Sequence, residues 1–356
     1  MKKKMRRKTV ALMMTAALAV TGCLTGCGSS SDSADNGELN IFIWTEYVPD
    51  SVIEKFEDET GIKVNVSTFS SNEDMLAKVQ AEASDAYDIV QPSDYMVQRM
   101  IEQDMLAELD KDALPNLSNI GEQYLNPSYD PGNVYSVPYQ GGVAAIAVNT
   151  DMVDIDIDSY ADLFDPSLKD SLVVLDDYRA VIGMTARSMG YSMNETDPAR
   201  LQEISDKLMT LKPNIKSYDS DSPKSLLISG ECAVGMVWNA EIALAMEEND
   251  SIEIVYPKEG PYVFMDNWAV MKDSPNYDNA MTFINFMMDP DVVQMVLEEF
   301  PYLNPNTTAV EAMGEEYASN LAKNPPAEVI ASGEYVQNLD VDTLAIYDEM
   351  WTQLKQ

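Results

Sequence analysis

The stretch IFIWTEYVP, residues 41–49, decides the fold class of this chain. Its apolar run ends in aromatic residues, and Pro49 then opens a segment with helical spacing of apolar residues that stops at Gly61. This pattern predicts a buried strand followed by a helix. In open α/β sheets ligands bind beyond the carboxyl ends of strands, so Trp44 and Tyr47 are placed either for ligand recognition or for packing at the sheet edge.

The alternation of strand-like and helix-like segments continues along the chain. Residues 62–90 read as strand, helix and strand, and residues 172–238 contain a second series of the same kind. This order predicts an α/β fold with a largely parallel sheet. Two extended apolar runs, near residues 135–148 and 264–271, are suited to cross between two lobes.

The first 26 residues have the composition of an export signal. Six Lys and Arg residues precede the apolar segment 9–20, which is too short to span a bilayer. Leu-Thr-Gly-Cys at residues 24–27 resembles a bacterial lipobox, so Cys27 is predicted to carry the lipid, with Cys23 as the second choice. Residues 27–37 would form a flexible tether. We therefore expect a lipid-anchored protein on the outer face of the cytoplasmic membrane.

Acidic side chains dominate the rest of the chain. Removing the six basic residues of the export segment from the 23 in the sequence leaves 17 basic against 60 acidic residues, a net charge of −43. Such a charge repels nucleic acid and attracts cations. Solubility at a cell surface is an alternative explanation for it.

The sequence contains no His, which excludes Ser-His-Asp and Cys-His triads and the commonest metal ligand. Residues 154–165 share their acidic spacing with calcium loops. They lack the Gly at the sixth position and the final bidentate Glu of such loops, so we expect a solvated acidic loop. Neither a metal nor a cofactor is expected.

Rings and carboxylates collect where the predicted strands end. Stacked aromatic faces attract an ammonium group by about 0.5–2 kcal/mol each, and carboxylates accept charge-assisted hydrogen bonds from amines. The set therefore suits an elongated organic cation. Its members are Trp44, Tyr47, Ser93, Tyr95, Asp177, Trp238, Phe264, Asp266 and Tyr302.

Two alternatives stay open at this point. Asp177 and Asp266 have the residue type of a glycoside hydrolase pair, in which one carboxyl protonates the leaving group and the other attacks or activates water. Ser93 precedes a predicted helix and would serve equally as its N-cap, with no ligand involved.

Six segments of the sequence carry a family resemblance through their order and spacing: residues 44–49, 92–95, 176–179, 235–239, 256–260 and 265–266. They resemble the spermidine/putrescine-binding lipoproteins of bacterial ABC importers, and the resemblance runs from about Leu39 to the C-terminus. It implies a two-lobed periplasmic-binding-protein fold with a hinge of crossing strands and a ligand cleft. It also implies a monomer that captures spermidine or putrescine and delivers it to permease subunits, with no catalysis.

The resemblance also implies roles for individual residues. Trp44, Tyr47, Trp238 and Phe264 would form aromatic walls and Tyr302 would close the far wall. Asp177 and Asp266 would hold amines, and Ser93, Tyr95 and Ser220 would supply polar contacts. Gln337 matches a terminal amine contact if one residue is inserted after residues 333–335.

Two positions depart from the family pattern. Phe264 stands where the spermidine binder has Trp, and Phe has the weaker ring face for cations. Ala180 stands where the family has Glu, so one amine contact is missing. Either a shorter diamine is preferred, or Asp94, which replaces a family Thr, supplies the charge from another direction.

The expected lobes are discontinuous in sequence. The first would comprise residues 38–142 and 266–310, and the second residues 143–265 and 311–356. Within the same fold, a receptor for another cationic or polar solute, such as an amino acid, a betaine-like compound or a sugar, is the alternative function.

Overall fold

A computed structural model describes residues 36–356 of the chain. The predicted export signal, Cys23, Cys27 and nearly all of the tether lie outside the described residues. In residues 36–356, no helix combines the length and the apolar character needed to cross a membrane.

The described residues form one mixed sheet with the strand order β2-β1-β3-β9-β4-β7-β5-β6, to which β10 adds beside β9 and β8 beside β4. The strands are β1 Glu38–Trp44, β2 Lys63–Phe69, β3 Ile89–Val90, β4 Ser136–Asn149, β5 Leu172–Val174, β6 Ile215–Tyr218, β7 Val234–Trp238, β8 Ile252–Val255, β9 Tyr262–Val270 and β10 Glu334–Tyr335.

Helices occupy most of the connections between these strands. They are α1 Asp50–Thr60, α2 Asn72–Ala81, α3 Asp94–Glu102, α4 Tyr178–Ser188, α5 Pro198–Met209, α6 Lys224–Ile228, α7 Asn239–Glu248, α8 Tyr277–Met287, α9 Pro290–Glu299, α10 Thr307–Ala312, α11 Gly314–Ala318, α12 Ala327–Ser332 and α13 Val341–Lys355.

The unit that begins at residue 41 forms as its pattern predicts. Ile41, Phe42 and Ile43 are buried in β1, and α1 buries Val52 and Phe56 on one face. The helix ends where Gly61 adopts a φ of 70°, a left-handed conformation that costs glycine little. The sequence prediction of a buried strand followed by a helix is confirmed.

The sheet is parallel in its two outer groups and antiparallel at its centre. Strand β1 pairs in parallel with β2 and β3, and β5 pairs in parallel with β6 and β7. The central strands β4 and β9 are antiparallel to each other and to their outer neighbours β7 and β3. The prediction of a largely parallel sheet is therefore wrong for the centre, because the chain leaves one group along β4 and returns along β9 in the opposite direction.

Segments from the C-terminal part of the chain contact elements of both strand groups. Strand β10 pairs with β9, and α13 packs against α4 and α5. Helix α8 packs against β1 and β9. The boundaries of the two lobes stay a prediction.

Candidate ligand-binding site

A narrow cavity of about 30 Å³ lies where β1, β7 and β9 approach one another, and we call it the central cavity. Nine of the residues predicted from the sequence line it: Trp44, Tyr47, Ser93, Asp177, Ser220, Trp238, Phe264, Asp266 and Tyr302. Four further residues complete the lining: Thr45, Asn72, Asp221 and Tyr262.

The period of a β-strand explains which residues of β9 reach the central cavity. Tyr262, Phe264 and Asp266 are two residues apart, so their side chains share one face of the strand. All three line the central cavity, whereas Met265 between them lines a different one.

Small residues of β4 allow the rings of its two neighbours to meet. Trp238 of β7 pairs with Ala144, and Phe264 of β9 pairs with Gly142 on the other side of β4. The two ring centroids are 5.0 Å apart at an interplanar angle of 65°. A Cβ atom on Gly142 would lie 2.2 Å from Asn239 Oδ1 and 3.3 Å from the Phe264 ring, so the close approach of Asn239 to β4 requires glycine.

The remaining rings extend this aromatic wall edge to face. The centroid of Tyr302 lies 6.1 Å from that of Phe264 and 5.0 Å from that of Tyr47. The ring of Trp44 packs against Phe69 at 4.5 Å and also lines the central cavity. Trp44 therefore combines the two roles, packing and cavity lining, between which its sequence context did not decide.

Asp266 is the most constrained acid in the central cavity. Its side chain is 3% exposed, and its carboxylate accepts hydrogen bonds from Tyr47 Oη at 2.7 Å and from Ser93 Oγ at 2.5 Å. Burial raises the pKa of Asp266 to about 7, although both hydrogen bonds and the nearby indole of Trp44 act to lower it. A cation placed beside this carboxylate would favour its ionised form.

Ser93 directs its hydroxyl to Asp266 and not to the start of α3. It stands at the N-cap position, but its side chain makes no capping hydrogen bond. Asn72 Nδ2 donates to Ser93 Oγ at 2.9 Å, and the Ser93 N–H donates to Asn72 Oδ1 at 3.1 Å. The capping alternative for Ser93 is therefore wrong, because the hydroxyl is fixed from both sides within the site.

Asp177 caps a helix at the other side of the central cavity. It is 8% exposed, and its Oδ1 accepts the backbone N–H groups of Arg179 at 2.8 Å and Ala180 at 3.1 Å. Burial raises its pKa, while these hydrogen bonds and the Arg179 charge oppose that rise. The start of α4 thus fixes the direction of this carboxylate.

Two donors in the lining are left without a partner. Trp44 Nε1 and Ser220 Oγ are buried and make no hydrogen bond within residues 36–356. Buried polar atoms are normally paired, so these two are available to polar groups of a ligand or to water.

Three predicted site residues lie elsewhere. Asp94, Tyr95 and Gln337 line a separate cavity of about 470 Å³, which we call the tyrosine cavity because Tyr124, Tyr129 and Tyr335 line it as well. The Asp94 carboxylate accepts the N–H groups of Tyr95 at 2.6 Å and of Met265 at 3.1 Å, and burial raises its pKa to about 8. The structure does not bring these three residues into the central cavity, because they border the β9 face on which Met265 lies.

Glu46 does not line the central cavity, although it lies between Trp44 and Tyr47 in the sequence. It adopts a φ of 50° and pairs with Lys224 Nζ at 2.6 Å. Lys224 also contacts Glu241 at 3.0 Å, so Glu46 fastens the end of β1 to α6 and α7.

Sequence reasoning missed four lining residues for different reasons. Tyr262 lies two positions before Phe264 on the same strand face, so a stricter use of strand spacing would have found it. Asp221 directly follows Ser220 outside any strand and carries no spacing signal. Thr45 follows Trp44 directly and carries no pattern of its own. Asn72 belongs to α2, and only its contact with Ser93 brings it to the site.

Known proteins share the sequence and the fold of this chain. Residues 51–325 match the family described as bacterial extracellular solute-binding protein. The spermidine/putrescine-binding periplasmic protein of Salmonella typhimurium is 40% identical over 339 residues, which cover 95% of this chain and 97% of that protein.

Two solved structures share the fold over most of their length. A Listeria monocytogenes protein assigned to a spermidine/putrescine ABC transporter superimposes with a TM-score of 0.86 at 36% identity, covering 90% of this chain and 99% of that one. The Tp0655 (TpPotD) lipoprotein of Treponema pallidum gives a TM-score of 0.78 at 27% identity, covering 89% and 99% respectively.

Proposed function

Because this chain belongs to the bacterial extracellular solute-binding proteins, and among them to the spermidine/putrescine-binding proteins, we propose that it captures polyamines outside the cytoplasm and delivers them to an ABC permease. The membership confirms the two-lobed α/β fold class that the sequence predicts. The ligand would occupy the central cavity, between its aromatic wall and its carboxylates.

The observation that carries this proposal is the charge of the central cavity. The buried acids Asp177 and Asp266 and the exposed Asp221 line it, and no Lys or Arg does so within residues 36–356. Buried carboxylates without a basic partner are costly, and an ammonium group relieves that cost through a charge-assisted hydrogen bond. The rings of Trp238, Phe264 and their neighbours would add about 0.5–2 kcal/mol per ring that faces the cation.

Ligand uptake would require the cavity walls to separate. A volume of about 30 Å³ is close to that of one water molecule and much smaller than a polyamine. The two-lobed fold supplies a suitable motion, since lobes that open and close about a hinge admit a ligand and then exclude water. Water exclusion strengthens the attraction between ammonium and carboxylate.

Asp266→Asn tests the proposed site directly. Removing the charge while keeping the shape should weaken spermidine and putrescine binding by about 10- to 150-fold, the equivalent of about 1.5–3 kcal/mol for a hydrogen bond to a charged group. Asp104→Asn is the matched control, because Asp104 is exposed, pairs with Lys272 and has a φ of 58° that Asn tolerates. Unchanged affinity in Asp266→Asn, measured by titration calorimetry, would contradict the proposed site.

We further propose that Asp177 and Asp266 bind ligand without catalysing a reaction. Asp177 Oδ1 is occupied by two backbone N–H groups, which suits a fixed cation acceptor better than a proton donor. Hydrolysis of a glycoside by the purified protein, lost in Asp177→Asn, would support the hydrolase alternative instead.

For the membrane location, we propose attachment through a lipid on Cys27. The support is the lipobox-like sequence, together with the likeness to a lipoprotein of Treponema pallidum. In a bacterial host, Cys27→Ala should move the full-length protein from the membrane fraction to the soluble fraction, and Cys23→Ala should not. The opposite pattern would assign the lipid to Cys23.

A further inference from the structure

A second cavity borders the central cavity at Asp177. This outer cavity has a volume of about 730 Å³, and its charged lining comprises the acids Glu73, Asp74, Asp176, Asp177 and Asp348 and the bases Arg99 and Lys355. Lys355 pairs with Asp176, which leaves Glu73 and Asp177 without an ion pair in the described residues. Asp177 is the lining residue that the two cavities share. A ligand that extends past Asp177 from the central cavity would therefore reach the outer cavity.

The Asp177 carboxylate still has capacity to bind a ligand. Its Oδ1 accepts the two helix N–H groups, and its Oδ2 makes no hydrogen bond within the described residues. Asp177 is 8% exposed, and this oxygen is not one of the fully buried unpaired polar atoms of residues 36–356, so solvent reaches it. An ammonium group passing between the cavities would supply the missing donor.

Glu73 is the next carboxylate on this path. It follows Asn72, which lines the central cavity, and its own side chain lines the outer cavity. Tyr95 Oη donates to Glu73 Oε1 at 3.0 Å, which fixes the carboxylate, while Oε2 makes no hydrogen bond in the described part of the chain. Burial and the neighbouring charge of Asp177 both raise the pKa of Glu73.

The buried cation nearest to these acids is engaged elsewhere. Arg179 is 1% exposed, and its guanidinium donates to the backbone oxygen of Gln337 at 3.0 Å. It also lies over the rings of Tyr95 at 5.4 Å and Tyr347 at 5.5 Å. Arg179 forms no ion pair with Glu73 or Asp177, although its charge lowers the pKa of both.

We propose that Glu73 binds the second terminal amine of a triamine and so sets selectivity for longer polyamines. This inference rests on the proposed function of the central cavity. A diamine places both of its amines between Asp266 and Asp177, whereas a longer chain must continue past Asp177. Glu73 is fixed by Tyr95 at that point and has one carboxylate oxygen available.

Calorimetric titration with putrescine, a diamine, and spermidine, a triamine, tests the role of Glu73. In Glu73→Gln we expect spermidine affinity to fall at least tenfold and putrescine affinity to change less than twofold. Gln keeps an oxygen that accepts from Tyr95, so retained putrescine binding also shows that the variant is folded. Glu82→Gln is the matched control, because Glu82 is exposed at the end of the same helix and should affect neither amine.

The outcomes separate the two claims. An equal loss for both amines, or no loss for either, in Glu73→Gln would overturn the role of Glu73 and leave the proposed polyamine function standing. Failure of the unmodified protein to bind either amine would overturn the proposed function, and the inference with it. Glu73→Asp, which keeps the charge, should retain more spermidine affinity than Glu73→Gln.

Discussion

Asp266 shows how one buried side chain links ligand binding to pH. Its pKa of about 7 means that roughly one tenth of the carboxyl is ionised at pH 6 and nine tenths at pH 8. A protonated polyamine binds the ionised form, so the empty site must release a proton before or during binding. The groups that face this carboxyl are the hydroxyls of Tyr47 and Ser93 and the indole of Trp44, and burial raises the pKa of Tyr47 further above this range. Asp94 is the neighbouring acid whose pKa the charge of Asp266 raises.

We therefore expect polyamine affinity to rise about tenfold between pH 6 and pH 8 and to level off above that. Titration calorimetry in buffers of different ionisation enthalpy would detect the proton released below pH 7. Asp266→Asn should remove most of this pH dependence, which distinguishes Asp266 from the other acids with raised pKa values, Asp94, Asp177, Glu73 and Glu241. A wild-type affinity that is constant from pH 6 to pH 8 would contradict this account.

At the residue scale, strand ends could be predicted from the sequence, but side-chain directions after them could not. Ser93, Asp94 and Tyr95 are consecutive, yet only Ser93 lines the central cavity. Successive residues at a helix start point about 100° apart, and which of them meets a cavity depends on the packing of the whole helix. For the same reason Asp94 does not bring its charge into the central cavity as the sequence allowed.

Among the elements, β4 and β9 do most to position the site. The sequence identified both as extended apolar runs, because fully buried strands show long stretches without polar alternation. Their antiparallel pairing could not be read from these runs, since local pattern does not encode strand direction. The observed pairing is what places Trp238, opposite Ala144, and Phe264, opposite Gly142, on either side of β4.

Gly142→Ala tests how much the close contact between β4 and Asn239 contributes to stability. The added methyl group would lie 2.2 Å from Asn239 Oδ1, which accepts the Val143 N–H at 3.0 Å and cannot move freely. We expect the free energy of unfolding to fall by about 1–3 kcal/mol, the usual cost of overpacking, and polyamine binding to weaken because Asn239 adjoins Trp238.

Gly183→Ala is the control for that substitution. Its new methyl group would meet the flexible end of Met193, and Gly183 lies inside α4, where Ala is the better helix former. We expect its unfolding free energy in urea to stay within about 1 kcal/mol of the wild-type value. Equal destabilisation of the two variants would show that the contact with Asn239 does not restrict position 142 to glycine.

For the molecule as a whole, one ion pair joins the two groups of strands. Lys224 of α6 contacts Glu46, which follows β1, and Glu241 of α7. Glu241 is 3% exposed, and burial raises its pKa to about 7 against the attraction of Lys224. Lys224 therefore supplies the charged partner of the buried Glu241 and, through Glu46, links the end of β1 to α6 and α7.

Lys224→Met should lower the free energy of unfolding at pH 8 by about 1–3 kcal/mol, because Glu241 loses its hydrogen-bond donor in a buried place. Lys272→Met is the control, since the pair of Lys272 with Asp104 is exposed and worth at most about 1 kcal/mol. Urea titrations of both variants give the comparison. A loss in Lys224→Met no larger than in Lys272→Met would show that the pair does not stabilise the fold.

The sequence predicted the class of ligand better than the size of its site. A net charge of −37, the absence of His and the rings at strand ends already favoured an organic cation over catalysis. The narrowness of the central cavity and its border with the outer cavity depend on how the two groups of strands approach each other. No local pattern records that approach, so Glu73 was not predicted as a site residue.

Titration of the unmodified protein with spermidine and with putrescine tests the central claim most directly, with 1,4-butanediol as an uncharged control of the same chain length as putrescine. We predict saturable binding at one site for at least one amine, with a dissociation constant in the micromolar range or below, and no measurable binding of the diol. Dissociation constants above about 1 mM for both amines, equivalent to less than about 4 kcal/mol, would contradict the claim. So would equal binding of the diol, because the carboxylates would then not recognise charge.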